Sequence, residues 1–132
     1  MTARAAVAAP ASAPHRRSVS VLLESDDLAF VGAGDWVDVL ATLKKPGADG
    51  RTEDVTLTLL QRVAVLDVRK SETAEGKSVL SLSLSPEEAQ ALVLASASGR
   101  LRVALRSPED VDTHPMQEAS LRRAFSFGRG DP

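Results

Sequence analysis

The stretch Ser78–Arg106, SVLSLSLSPEEAQALVLASASGRLRVALR, decides the fold. Leu80, Leu82 and Leu84 alternate with Ser81 and Ser83, the period-two pattern of a strand with one face in a core. Ser85-Pro86-Glu87-Glu88 then reads as a capping box. The Ser85 hydroxyl is placed to accept from the Glu88 N–H, and the Glu88 carboxylate to reach back to the Ser85 N–H. Pro86 falls at the first helical position, where its missing N–H is no loss. Ala89, Leu92, Val93 and Ser96 recur at helical spacing and predict the face of a helix over 86–98 that lies against a sheet. Gly99 is expected to end that helix as a residue with positive φ. Leu101, Val103 and Leu105 resume the alternation, with Arg100, Arg102 and Arg106 on the opposite face. The unit is strand, helix, strand.

Upstream, the same alternation recurs in shorter pieces. Val19, Val21 and Leu23 mark a first strand over 18–23, and Val37, Val39, Ala41 and Leu43 a second over 36–43. The second is entered through Phe30-Val31-Gly32-Ala33-Gly34-Asp35, a tight loop in which Gly34 and Asp35 make the turn. Lys44–Glu53 holds Pro-Gly and Asp-Gly and is a polar connection. Val55, Leu57 and Leu59 point one way in a third strand over 54–60, with a fourth over 62–69. Gln61 alone leaves no room for a wide loop, so the chain either bends sharply there or continues as one bulged strand. Lys70–Lys77 is another solvated connection. The sum is a mainly β, small α+β domain of about five or six short strands with one helix.

The flanks read differently. Residues 1–17, rich in Ala and Pro with Arg4, Arg16 and Arg17, are expected to form a disordered leader; their Ala-rich core is too short and too broken by Pro10 for a convincing signal peptide. Residues 109–132 are expected to be a flexible tail with a weak helix over 116–127.

Composition narrows the function classes. The 132 residues carry 16 basic and 18 acidic side chains, which gives no general attraction to nucleic acid or anionic membrane. Trp36 and three Phe are the only aromatics, too few for a base-stacking surface. With no Cys there is no disulfide, thiolate nucleophile or cysteine-based zinc site. His15 and His114 each lack a neighbouring His or Cys, so a metal site would need carboxylates scattered over the chain; no cofactor motif is present, and no run of apolar residues has the length of a membrane span. Gly32-Ala33-Gly34 leads into a strand, not the helix that a phosphate loop requires.

Three segments resemble one family. Gly34–Leu40, GDWVDVL, is similar to the "PGDRVDVL" segment of the RcpC/CpaB proteins of Flp (Tad) pilus assembly, with the family's proline replaced by Ala33. Leu59–Val68, LLQRVAVLDV, resembles their "LLQNVRVLAV" segment, and Val79–Arg106 resembles their helix-bearing segment. Order and spacing agree across residues 18–108. The resemblance implies a non-enzymatic assembly factor in the periplasm or cell envelope, near the outer-membrane secretin. It also implies that this chain is the C-terminal domain alone, either a short member or a fragment. Family members usually place a membrane anchor and a small SAF-type β-clip module before this domain, so membrane attachment would come only through that anchor.

Against this stand two other classes. A cell-wall or polysaccharide-binding module would use the Arg stripe of Arg100, Arg102 and Arg106 together with Trp36, through guanidinium forks and a ring face. Trp36 reads equally well as core filler or as an exposed contact. A small hydrolase would need Asp35 and Asp38 in one cleft, aimed at one substrate. Asp35 is the better candidate for accepting backbone N–H groups within its own turn. Of the three, the assembly module is preferred, with Arg100, Arg102, Arg106 and Trp36 as its candidate contact residues.

Overall fold

The computed structural model describes residues 14–71 and 76–122. Five antiparallel strands form one sheet: β1 (Arg17–Glu24), β2 (Trp36–Pro46), β3 (Thr52–Arg69), β4 (Lys77–Leu84) and β5 (Arg100–Leu105), in the order β1-β4-β3-β2-β5. A 3-10 turn, Ser25–Leu28, follows β1, and helix α1, Pro86–Ser98, joins β4 to β5. Alternation does the sorting. Val21 and Leu23, Val37, Val39 and Ala41, and Leu80, Leu82 and Leu84 are buried, while the alternate residues of β1 and β2, among them Ser20, Leu22, Asp38 and Leu40, take the other face.

The helix touches all five strands, and the 3-10 turn touches β1, β4 and β5 although β5 lies at the opposite end of the sheet from β1. The sheet is therefore curled, with α1 and the 3-10 turn in its hollow. Leu28 and Leu92, both fully buried, fill that hollow against Val37, Val39, Leu80 and Leu82. Burying one such leucine is worth about 2 kcal/mol. The capping box forms as the sequence requires: Ser85 Oγ accepts from Glu88 N at 3.1 Å, and Glu88 Oε1 accepts from Ser85 N at 2.8 Å, with Pro86 opening the helix.

One alternative left open is resolved, and three expectations are corrected. The third and fourth strands are one 18-residue strand, β3, bulged where Val37 pairs with Val63 but Val39 with Leu60. Arg62 takes up the extra residue with φ 54°. After the bulge four successive residues, Val63–Leu66, are buried.

The inner face of α1 is Ala89, Leu92 and Ala95; Val93 is exposed and Ser96 lies outside, because the helix meets the sheet along a narrower stripe than expected. Gly99 is extended, at φ −162°, not left-handed. Glycine is required there by space: a Cβ would lie 2.1 Å from Thr42 O and 2.6 Å from Leu43 Cδ2. Finally, residues 116–120 are not helical. Within them Ala119 forms a β-bridge with Thr56. Leu121 and Arg122 are helical, as expected; the rest of the expected weak helix, from 123 on, lies outside the described residues, as does most of the expected leader.

Candidate interaction surface

The outer face of β2 and β5 carries the candidate residues. The pairs Leu40–Arg102 and Asp38–Ala104 set Trp36, Asp38 and Leu40 beside Arg102, Ala104 and Arg106. The three arginines then part company.

Arg106 is not part of an outward stripe. Its side chain is 5 % exposed, because β5 ends at Leu105 and the chain folds back over it. Its Nη1 donates to Asp38 Oδ1 at 2.9 Å and its Nη2 to Asp110 Oδ1 at 2.9 Å. Nε reaches Asp110 O, and Nη2 also donates to Asp112 O. The hydrogen bond to Asp38 raises the Arg106 pKa above its ordinary value, against the opposing effect of desolvation. Arg106 thus fastens residues 110–112 to the sheet.

Arg102 forks onto Asp27 of the 3-10 turn, with Nε and Nη2 within 3.2 Å of its carboxylate oxygens. The Asp27 side chain is 6 % exposed while that of Arg102 is open to solvent, so one side of the fork remains accessible. The hydrogen bond and charge of Asp27 raise the Arg102 pKa. This pair ties β5 to the segment that follows β1 and helps to keep the sheet curled. Arg100 is exposed, and among the described residues no ion pair reaches it.

Trp36 is half-buried, and the Arg62 guanidinium sits 4.1 Å from its ring centroid. The left-handed backbone at Arg62 swings its N–H onto Asp38 Oδ1 at 2.9 Å, so bulge, Trp36 and Asp38 form one unit. Arg102 does not join Trp36; it pairs with Leu40, four residues along β2, a rise of about 13 Å. A groove made by Trp36 beside Arg102 is not formed.

Gly34, at φ 93°, allows the turn in which Asp35 N donates to Gly32 O, and Asp35 Oδ2 accepts from Gly32 N at 2.9 Å. Asp38 is engaged elsewhere, with Arg62 and Arg106. Two shallow clefts, one at the β2–β3 hairpin and one between β3 and His114, are lined by other residues, so neither places Asp35 and Asp38 over a common substrate. Among the described residues no cluster of His and carboxylates is disposed to hold a metal ion, and no helix is long and apolar enough to cross a membrane.

Sequence reasoning missed Asp27, Arg62, Asp110 and Gln61. Asp110 carried a signal, standing four residues after Arg106; Asp27 and Arg102, far apart in the chain, carried none.

These features define a class: a small curled β module, clasped by its own ion pairs, with β1 and β5 as the outermost strands among the described residues. The chain belongs to the RcpC/CpaB family of Flp pilus assembly proteins, whose family model matches residues 10–106. Membership brings a role in pilus assembly and an association with the cell envelope. No curated protein and no solved structure matches the chain.

Proposed function

We propose that this chain is a non-enzymatic docking module that binds the outer-membrane secretin of a Flp/Tad-type pilus machine in the periplasm. The observation that carries the reading is β5: it is the last strand of the sheet, and it offers Arg100, Arg102, Ala104 and Leu105 to solvent. Arg106 N donates to Trp36 O, which fixes the ladder phase and turns the Leu105 N–H outward. A partner strand added here would gain main-chain hydrogen bonds, with Arg100 and the open side of Arg102 reading an acidic flank. Trp36 borders the same face, although Arg62 already covers one side of its ring.

The test is calorimetric binding of the purified periplasmic region of the secretin from the same organism. Leu105→Pro removes an outward N–H without removing a bond to β2 and should weaken binding, as should Arg100→Glu. Undiminished binding by both variants would sink this mode of docking. Retention on peptidoglycan, with none on the secretin, would favour the glycan class.

A further inference from the structure

A second sheet edge is covered by the chain itself. The first half of β3 pairs with β2 on one side, but β4 joins its other side only from Ala64 onward. Among the described residues, none of the five strands therefore runs along this edge of residues 52–61. Residues 107–119, after β5, cross to this edge. Gln61 clamps His114 through both atoms of its amide, Nε2 to His114 O at 2.5 Å and Oε1 from His114 N at 3.0 Å. Ala119 and Thr56 exchange backbone hydrogen bonds of 2.7 and 2.9 Å, and Glu118 reaches Lys45 at 2.5 Å.

This cover is only partly zipped. Among the described residues the ladder is one pair long, Thr56 with Ala119. Thr56 turns its backbone toward the edge, so by the two-residue period Asp54 and Thr58 turn theirs the same way. An extended strand has three positions to pair with where the covering segment uses one.

We propose that the edge of β3 around Thr56 is an acceptor for an extended segment of a partner protein, and that residues 111–119 occupy it as a displaceable strap. The strap is itself the template for the occupant: antiparallel to β3, with a small residue opposite Thr56 and an acidic one toward Lys45. A partner strand that met those conditions and paired with Asp54 and Thr58 as well would displace the strap. The site is separate from the β5 edge and does not depend on secretin binding.

The test uses the full chain and one probe, a synthetic peptide of residues 111–122, VDTHPMQEASLR. Ala119→Pro deletes the strap's donor and leaves the core residues untouched. In this variant the Thr56 amide should exchange on the order of ten- to a hundredfold faster than in the wild type, while that of Val65 is unchanged. Added peptide should then slow the Thr56 amide again and shift the signals of residues 54–61, whereas the same peptide carrying Ala119→Pro should do neither. Gln61→Ala, which removes the second clamp, should accelerate Thr56 in the same direction. Three results would each overturn the inference: unchanged Thr56 exchange in both variants, no response to the peptide in Ala119→Pro, or wild-type Thr56 protection that rises with protein concentration, which would mean that a second copy supplies the strap.

Discussion

Replacing Gly99 by alanine isolates a single physical effect. At φ −162° any residue is at home, so the substitution introduces no backbone strain. What it introduces is a Cβ 2.1 Å from Thr42 O, 2.6 Å from Leu43 Cδ2 and 3.1 Å from Thr42 C. The backbones must part by about 1 Å before ordinary contact returns, and Thr42 is the residue that pairs with Arg100 at the start of β5. Overpacking of this kind costs about 1–3 kcal/mol, and losing the first β5 pair adds to it; alanine's smaller unfolded-state entropy returns about 0.5 kcal/mol. A net loss of about 2–3 kcal/mol lowers the melting midpoint by roughly 10 °C in a domain of this size. Gly50→Ala provides the contrast: φ +82° with nothing within 4 Å predicts a cost of about 1 kcal/mol from conformation alone. Thermal and urea denaturation of the two variants measure both numbers. A Gly99→Ala protein within about 0.5 kcal/mol of the wild type would refute the close-approach reasoning.

Other expectations follow from the same contacts. Leu92→Ala should cost about 2–5 kcal/mol in urea titration, and Val93→Ala less than about 0.5 kcal/mol, which checks the corrected helix face. Ser85→Ala should cost about 1 kcal/mol, read as a lower midpoint of helical circular dichroism. Arg62→Gly removes the left-handed strain, about 1 kcal/mol, and the ring contact, about 0.5–1 kcal/mol; stability should barely move while the emission of the lone Trp36 shifts. The Ser107 hydroxyl holds the Glu109 carboxyl below its ordinary pKa. A depressed carboxyl stabilises above its unfolded pKa and loses that contribution as pH falls through the folded one, so Ser107→Ala should raise the Glu109 titration seen by carboxyl NMR and weaken that pH dependence, leaving the part due to the backbone hydrogen bond.

Local features were legible in the sequence because their partners are near neighbours. Ser85 and Glu88 are three residues apart, and the leucines of β4 need only their own alternation. What escaped depends on distant groups. The reason for Gly99 is Thr42, on a strand it meets only after folding. Arg106 looks identical to Arg100 and Arg102 by parity, and only Asp38 and the returning segment at Asp110 bury it. A bulge beside Gln61 was one of two open alternatives, but nothing marked Arg62 as its left-handed residue, since that backbone is stabilised by Asp38 and Trp36 and not by its own residue type. The strap at Thr56 was hidden for the same reason: Ala119 and Thr56 become neighbours only once the sheet exists.

The order of the strands also governs when the molecule can close. The β2–β3 hairpin is assembled from adjacent chain, but β1 must wait for β4, and β2 keeps one flank open until Arg100–Leu105 arrives. As the chain leaves the ribosome, the other four strands and the helix must all emerge before the final strand can dock. Until then Val37 and Val39 lack their β5 neighbours, Leu105 and Val103. Folding is thus a late, nearly all-at-once event set by long-range pairing, and its rate should sit with the slower, sheet-dominated domains.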